Sequence, residues 1–296
     1  MGNSYPWTYV NDRFVPTHEA VIPVTDHGLL YGDSCFEALR VYDYHPAFWQ
    51  EHLRRLAGSA RSLDLPYPGD DRWIAVLREA IDRNRMDAGM VRLTLTRGVA
   101  PPGLRPGEPP QQTLLLLCVR LPERTADARA AGVPLATAVY QRIPATSLPT
   151  GAKTGNYLPN VLARRTARAA GADEALFTDA AGRYLEGTVS NLFFVDPEGL
   201  LATPPLEAGI LPGITRDQVL QIAAARALPI RFHSPTRAEL HAAAEVFLTG
   251  TGYEVASASQ LDGTPLRRGP LADSLQDGYL QAVAADRRNH PLPAST

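Results

Sequence analysis

The chain has 296 residues, 45% hydrophobic and 20% charged, with a net charge of −2. That length suffices for one large domain or two smaller ones, and the charge balance gives no broad attraction to nucleic acid or to an anionic membrane. No apolar run approaches the roughly 20 residues needed to span a bilayer, the N-terminus lacks a basic-then-apolar signal pattern, and Pro6 spoils a weak Met-Gly myristoylation resemblance, so a cytoplasmic protein is expected.

Ser34 to Val41 alternates, with Phe36, Ala38 and Arg40 on one face and Cys35, Glu37, Leu39 and Val41 on the other, which predicts a strand. Leu53, Leu56, Ala60 and Leu63 make one helix stripe, and Trp73, Val76, Leu77 and Ile81 a second. Val91 to Arg97 alternates again, and Thr113 to Val119 is apolar enough for a central strand. Leu121 to Gly132 is charged and alanine-rich. It is read as a connection at 121–134 between a smaller domain at 1–120 and a larger one at 135–296. Leu158, Val161, Leu162 and Ala169 mark a helix that ends at Gly171, with Pro159 tolerated in its first turn. Glu174 to Asp179 and Tyr184 to Val195 flank Ala180-Ala181-Gly182-Arg183 as a hairpin. Thr215, Val219, Ile222 and Ala223 read as a helix, with Thr215 and Gln218 as a capping box. Glu245 to Leu248 and Glu254 to Ala258 are strands around the turn Thr249-Gly250-Thr251-Gly252, and Asn289 to Thr296 reads as a frayed tail.

The most informative residue is Lys153, the sole lysine against 28 arginines. Arginine replaces lysine wherever only charge is wanted, but not where a primary amine must lose its proton and attack a carbonyl. Lys153 also lies in a loop just ahead of a helix, a common position for a reactive group. Two segments can hold a phosphate through backbone N–H groups: the helix start at Gly213-Ile214-Thr215 and the turn Thr249 to Gly252. Glu186 is a carboxylate within a strand, beside Tyr184 and Thr188 in phase.

Other chemistries fail on spacing. The seven histidines show no HExxH pattern, and Cys35 and Cys118 form no metal-type pair, so no metal site is expected. There is no G-x-S-x-G elbow and no Walker loop. Gly250-Thr251-Gly252 begins like a dinucleotide fingerprint, but Val255 replaces the third glycine and a strand follows.

A lysine, a phosphate cradle and an acidic partner for a ring nitrogen are what pyridoxal 5'-phosphate requires. The motifs Tyr31-Gly32-Asp33-Ser34-Cys35-Phe36-Glu37, Glu51-His52-Leu53-Arg54-Arg55-Leu56 and Lys153-Thr154-Gly155-Asn156-Tyr157 come first in the chain. Glu186-Gly187-Thr188-Val189-Ser190-Asn191-Leu192-Phe193, Leu211-Pro212-Gly213-Ile214-Thr215-Arg216 and Thr249-Gly250-Thr251 follow in order. With these, the chain from about Asp26 to Asp262 resembles the class-IV (fold-type IV) pyridoxal-phosphate enzymes: branched-chain aminotransferases, D-amino-acid aminotransferases and aminodeoxychorismate lyases. The resemblance implies an α/β fold of two domains, the larger barrel-like, with the cofactor between them, and a homodimer. It implies Lys153 as the Schiff-base lysine, Glu186 as partner of the pyridine nitrogen, Tyr157 near the phenolic oxygen and Leu211 against the ring. It further implies a phosphate held by Arg55, by Ile214 and Thr215, and by Thr251 and Gly252.

For substrate, the resemblance places Tyr31, Phe36, Ala38, Arg40 and Arg92 on the amino-acid side. Thr249-Gly250-Thr251 with Glu254-Val255, and Arg92 in Met90-Val91-Arg92-Leu93, look like the branched-chain enzymes. Ser190-Asn191 and Gly32-Asp33-Ser34 look more like the lyases and D-amino-acid enzymes, although the loop Thr96 to Arg105 lacks their Arg-x-His pair. The expectation is transamination of a branched-chain or other apolar L-amino acid with 2-oxoglutarate. An aminodeoxychorismate lyase, a D-amino-acid aminotransferase and a catalytically silent binder of the same cofactor remain as alternatives.

Overall fold

A computed structural model describes residues 3–104, 111–121, 131–144 and 146–293. Most of the connection expected at 121–134 lies outside these residues, as does Arg105. The chain forms two compact units. The first takes Met1–Pro122, Ala152–Asn156 and Ala285–Thr296; the second takes Glu123–Gly151 and Tyr157–Ala284. The lysine segment thus belongs to the first unit, although it is distant from most of it in sequence.

In the first unit the elements run β1 (Trp7–Val10), β2 (Arg13–Pro16), α1 (His27–Tyr31), β3 (Ser34–Tyr42), β4 (His45–Pro46), α2 (Trp49–Ser62), α3 (Asp70–Asn84), β5 (Ala88–Val99) and β6 (Gln111–Val119). The strands form one sheet in the order β2-β1-β6-β5-β3-β4. Alternation along β3 and β5 sends Cys35, Leu39, Val41, Val91, Leu93 and Leu95 to one face, all buried. The stripes of α2 and α3 (Leu53, Leu56, Ala60; Trp73, Val76, Leu77, Ile81) join those strand residues in a single core. Near the end of β5, Gly98 has φ +101° and a side chain there would collide with the Gln111 carbonyl, so the register shift between Thr96 and Val99 requires glycine.

The second unit holds β7 (Val133–Thr137), α4 (Leu158–Ala169), β8 (Glu174–Thr178), β9 (Tyr184–Gly187), β10 (Asn191–Val195), β11 (Leu201–Thr203), α5 (Ile214–Ala225), β12 (Ile230–Phe232), α6 (Arg237–Ala242), β13 (Glu245–Gly250), β14 (Glu254–Leu261) and β15 (Thr264–Pro265). The hairpin expected from Glu174 to Val195 forms, but its second arm divides into β9 and β10 around Thr188 to Ser190. The sheet runs β12-β11-β10-β13-β14-β7-β8-β9, with β15 on β14 and a further pairing of β9 with β10. That last pairing closes β10, β13, β14, β7, β8 and β9 into a ring, which is the barrel-like body.

Three expectations need correction. The apolar stripe assigned to α4 does not face the core: Leu158 and Val161 are 66% and 55% exposed. The buried face is Ala163 and Ala167, which pack with Ala136, Ala172, Ala175 and Phe177. Thr215 does not cap α5. The cap residue is Gly213, so Thr215 is already helical, and the capping box of this unit is Thr236 with Glu239 on α6. Finally, the tail is preceded by a long helix that hydrophobic periodicity did not reveal, α7 (Leu271–Asn289). Its end is anchored as far as Leu292, and residues 294–296 of the expected tail lie outside the described residues.

Within the first unit, Asp286 accepts hydrogen bonds from His45 Nε2 at 2.9 Å, the Phe48 N–H at 2.7 Å and His290 Nδ1 at 3.1 Å. Trp49 Nε1 donates to the His290 carbonyl at 2.9 Å, and Leu292 packs on the core. Burial alone would raise the Asp286 carboxyl, but His45, the Phe48 N–H and His290 together hold it below its ordinary value. A depressed carboxyl contributes stability above its unfolded pKa of about 3.9 and loses it as pH falls through the lower folded value. Asp286→Asn is therefore expected to lower Tm at pH 7. Its deficit against the parent protein should start to shrink below about pH 4, where the unfolded parent's carboxyl takes up a proton, and should vanish as pH falls through the lower folded value. Melting curves across pH 3 to 7 check this, and a deficit independent of pH would contradict it.

Candidate active site

The residues singled out in the first unit gather around β3. Thr154 bridges to Cys35, and the Lys153 carbonyl accepts from the Phe36 N–H at 2.9 Å, so the lysine loop lies alongside the first half of β3. Ser59 Oγ on α2 accepts from the Lys153 N–H at 3.0 Å, which fixes the loop from a second side. Lys153 Nζ lies 4.4 Å from the Phe36 ring centroid, and the Arg92 guanidinium carbon lies 3.5 Å from it. Phe36 is 4% exposed, a buried ring in contact with two cations. Ala38 pairs with Arg92 and Phe36 with Thr94 across β3 and β5, so Phe36, Ala38, Arg40 and Arg92 share the face opposite the core. The Arg40 guanidinium lies 5.0 Å from the Tyr42 ring. Tyr31, at the end of α1, is partly exposed, and its hydroxyl accepts from the Gly103 N–H at 2.7 Å.

Arg55 is not a solvated charge. Its Nε and Nη2 donate to the two oxygens of Glu37 at 2.6 and 2.8 Å, and Glu37 is fully buried. His52 Nδ1 donates to Glu37 Oε2 at 2.7 Å. Burial opposes the charge on Glu37, yet the Arg55 guanidinium and His52 hold its carboxyl well below the usual range. Burial drives the His52 ring the other way, lowering its pKa, with the positive charges of Arg55 and Lys153 adding to that. His52 is thus a neutral donor to an ionised carboxylate. Burial, with the nearby Glu37 and Asp33 charges, pushes the Cys35 thiol up to about 12, which leaves it protonated and inert at neutral pH.

In the second unit, Glu186 sits on β9 at the seam that closes the barrel, paired in register with Asn191 of β10. It is 6% exposed, a buried carboxylate within a strand. Its Oε2 accepts from the Leu211 N–H at 2.9 Å and from Asn191 Nδ2 at 3.1 Å, and its Oε1 meets Arg142 Nε at 2.7 Å. Each partner is a donor, as an ionised buried carboxylate needs. Asn191 Nδ2 also donates to the Leu211 carbonyl at 3.0 Å, so Leu211 is held through both backbone groups. A side chain on Gly213 would collide with Asn191 Oδ1, and this close approach brings the start of α5 beside Glu186's partners. The cap residue Gly213 has no side chain to offer the first turn, which holds Ile214 and Thr215. Thr251 and Gly252 lie in the β13–β14 turn, with open space where a Gly252 side chain would be. Tyr157 occupies the N-cap position of α4.

Within each unit the singled-out residues therefore fall into compact groups. Lys153, Phe36, Arg92 and the Glu37–His52–Arg55 cluster lie in the first, and Glu186, Leu211 and the start of α5 in the second. Arg142 was missed. It is one arginine among 28, in a stretch without periodicity, and no local pattern marks it. Glu37 and His52 stood inside quoted motifs without a role, although a carboxylate in phase with Cys35, Leu39 and Val41 already demanded a partner.

The model of the family described as amino-transferase class IV matches residues 34–261, and the chain belongs to that family as an aminotransferase. It is 31% identical over 285 residues to a branched-chain-amino-acid aminotransferase of Salmonella typhimurium, covering 92% of this chain and 91% of the relative. Among solved structures it is similar to the branched-chain aminotransferase of the thermophilic archaeon Thermoproteus uzoniensis with norvaline. The TM-score is 0.88 at 29% identity, over 98% of this chain and 98% of the other. It is also similar to the Escherichia coli branched-chain amino acid aminotransferase, with a TM-score of 0.88 at 29% identity over 94% and 95%. The mixed α/β fold is that of the fold-type IV aminotransferases.

Proposed function

We propose that the protein transfers the amino group of a branched-chain or similar apolar L-amino acid to 2-oxoglutarate, using pyridoxal 5'-phosphate. The observation that carries this reading is Glu186, a buried strand carboxylate ringed by Arg142, Asn191 and the Leu211 N–H. Such a group fits the protonated nitrogen of a pyridine ring. When bound, the cofactor supplies an electron sink for the charge released as the substrate Cα loses its proton. Lys153 carries the primary amine that would hold the cofactor's carbonyl carbon covalently, and its Nζ can take and return the Cα proton. Phe36 fixes that amine on one side by a cation–ring contact. Leu211 is assigned to pack on the ring and Tyr157 to meet the phenolic oxygen. Ile214, Thr215, Thr251, Gly252 and Arg55 are assigned to the phosphate. Tyr31, Phe36, Ala38, Arg40 and Arg92 are assigned to the amino acid, with Arg92 or Arg40 as carboxylate anchor. Both arginines stand on the non-core face of the first sheet.

The chain is also proposed to act as a cytoplasmic homodimer. The exposed Leu158 and Val161 on α4 support an association surface. Among the described residues, no helix is long and apolar enough to cross a membrane.

A panel of amino donors and keto acids, run beside a pyruvate-release assay on aminodeoxychorismate, tests the reaction. Transfer from L-leucine, L-isoleucine or L-valine to 2-oxoglutarate is expected, whereas pyruvate release with no transfer to any keto acid would overturn it. In the same panel, Arg92→Ala and Arg40→Ala separate the two anchors. Loss of a bidentate charge-assisted contact should reduce donor kcat/KM by about ten- to a hundredfold with cofactor still bound, and lysine should not restore it. Near-normal kinetics in both variants would remove both from the role.

A further inference from the structure

The polar face of α2 carries an arrangement in which Arg55 alone has been given a part in the reaction. His52, Arg55 and Ser59 follow one another at helical spacing beside the apolar stripe of Leu53, Leu56 and Ala60. Two of them converge on Glu37, and the third holds the Lys153 N–H. Glu37 itself stands on the core face of β3, between Cys35 and Leu39, where every in-phase neighbour is apolar and fully buried. An ion pair in such a place is no efficient source of stability. Desolvation consumes most of its attraction, and apolar side chains of similar volume often serve as well. What the pair does supply is orientation. The carboxylate grips the Nε and Nη2 edge of the guanidinium with two parallel bonds, at 2.6 and 2.8 Å, while His52 holds the carboxylate in turn. A long, rotamer-rich side chain is thereby set in one attitude before any ligand arrives.

We propose that Glu37 is the positioning residue of Arg55, a buried carboxylate oriented by His52 that presets the guanidinium for the phosphate of pyridoxal 5'-phosphate. The inference rests on the reading of Arg55 as a phosphate contact. Its consequence is specific. Glu37 acts only through Arg55, and Arg55 acts only on the phosphate, so loss of Glu37 should weaken cofactors that carry a phosphate and spare those that do not. A residue that merely supports the fold would weaken both alike.

The test measures dissociation constants of pyridoxal 5'-phosphate and of pyridoxal for the apoprotein, by the absorbance change on binding. The proteins are the parent, Arg55→Ala, Glu37→Gln and the double variant. Arg55→Ala should lower the preference for the phosphorylated form by about tenfold or more, the size of one charged hydrogen-bonding contact. Glu37→Gln should lower the same preference by several-fold with pyridoxal affinity nearly unchanged. The double variant should be no worse than Arg55→Ala, because the two residues form one device. If the glutamine variant does not fold, Glu37→Asp retains the charge at a shorter reach and should give an intermediate preference. Equal weakening of both ligands, or an unchanged preference in a folded Glu37 variant while Arg55→Ala loses it, would overturn the inference alone. An unchanged preference in Arg55→Ala would instead remove Arg55 from the phosphate, and the inference with it.

Discussion

Lys153→Arg is expected to reduce transamination at least about a thousandfold, because a guanidinium stays protonated and cannot form or replace the bond to the cofactor carbonyl. The substitution keeps the positive charge and most of the side-chain length, so the contact with Phe36 at 4.4 Å can persist in the variant. The backbone tethers of the loop, from the Phe36 N–H and to Ser59 Oγ, involve no side-chain atom of residue 153 and should also persist. Tm near the parent value with activity gone would assign the loss to chemistry rather than folding. The chain has no second lysine to take over. Activity within tenfold of the parent would remove Lys153 from the reaction.

Glu186→Gln is expected to have the next largest effect, and it acts on two quantities that can be separated. One part of the effect falls on the reaction. An amide cannot match the charge of a protonated ring nitrogen, so the electron sink weakens and Cα proton removal should slow by about ten- to a hundredfold, the size of one charge-assisted contact. The other part falls on the fold. Arg142 Nε loses its carboxylate at 2.7 Å, and Asn191 and the Leu211 N–H keep only a neutral acceptor, so the barrel seam itself is weakened. A buried pair broken on one side can cost about 3–5 kcal/mol, and this pair, partly exposed on the Arg142 side, should lie toward or below the lower end. Stopped-flow measurement of the amino-acid half-reaction, with denaturant unfolding of the same preparation, reads both. Parent-like half-reaction rates at full cofactor occupancy would refute the ring-nitrogen role.

What the sequence made legible follows from which signals are local. Alternation in Ser34 to Val41 and Val91 to Arg97 reports the pleat directly, and β3 and β5 place those residues on the expected faces. Lys153 stood out by number alone, and its loop-before-helix setting holds. The misses are non-local. Barrel closure depends on the pairing of Glu186 with Asn191, which no propensity encodes. Arg142 meets Glu186 across 44 positions and carries no periodic mark. On α4, large apolar residues lie outward while alanines pack inward, because small side chains let the helix approach the sheet closely, so the hydrophobic stripe misassigned the buried face. The tail looked frayed because its anchors, Asp286 and His290, are polar and find their partners at His45 and Trp49, far back in the chain.

Chemical trapping tests most directly the proposal that the amine of Lys153 carries the cofactor. The holoenzyme is reduced with borohydride, digested with trypsin and its peptides are weighed. An unmodified Lys153 is cleaved, dividing the stretch between Arg142 and Arg164 into two peptides, whereas a pyridoxyl-bearing lysine is not. One uncut peptide from Ile143 to Arg164, heavier by the reduced cofactor, is the predicted result. Two unmodified halves, with the label found on the chain's α-amino group or nowhere, would contradict the account.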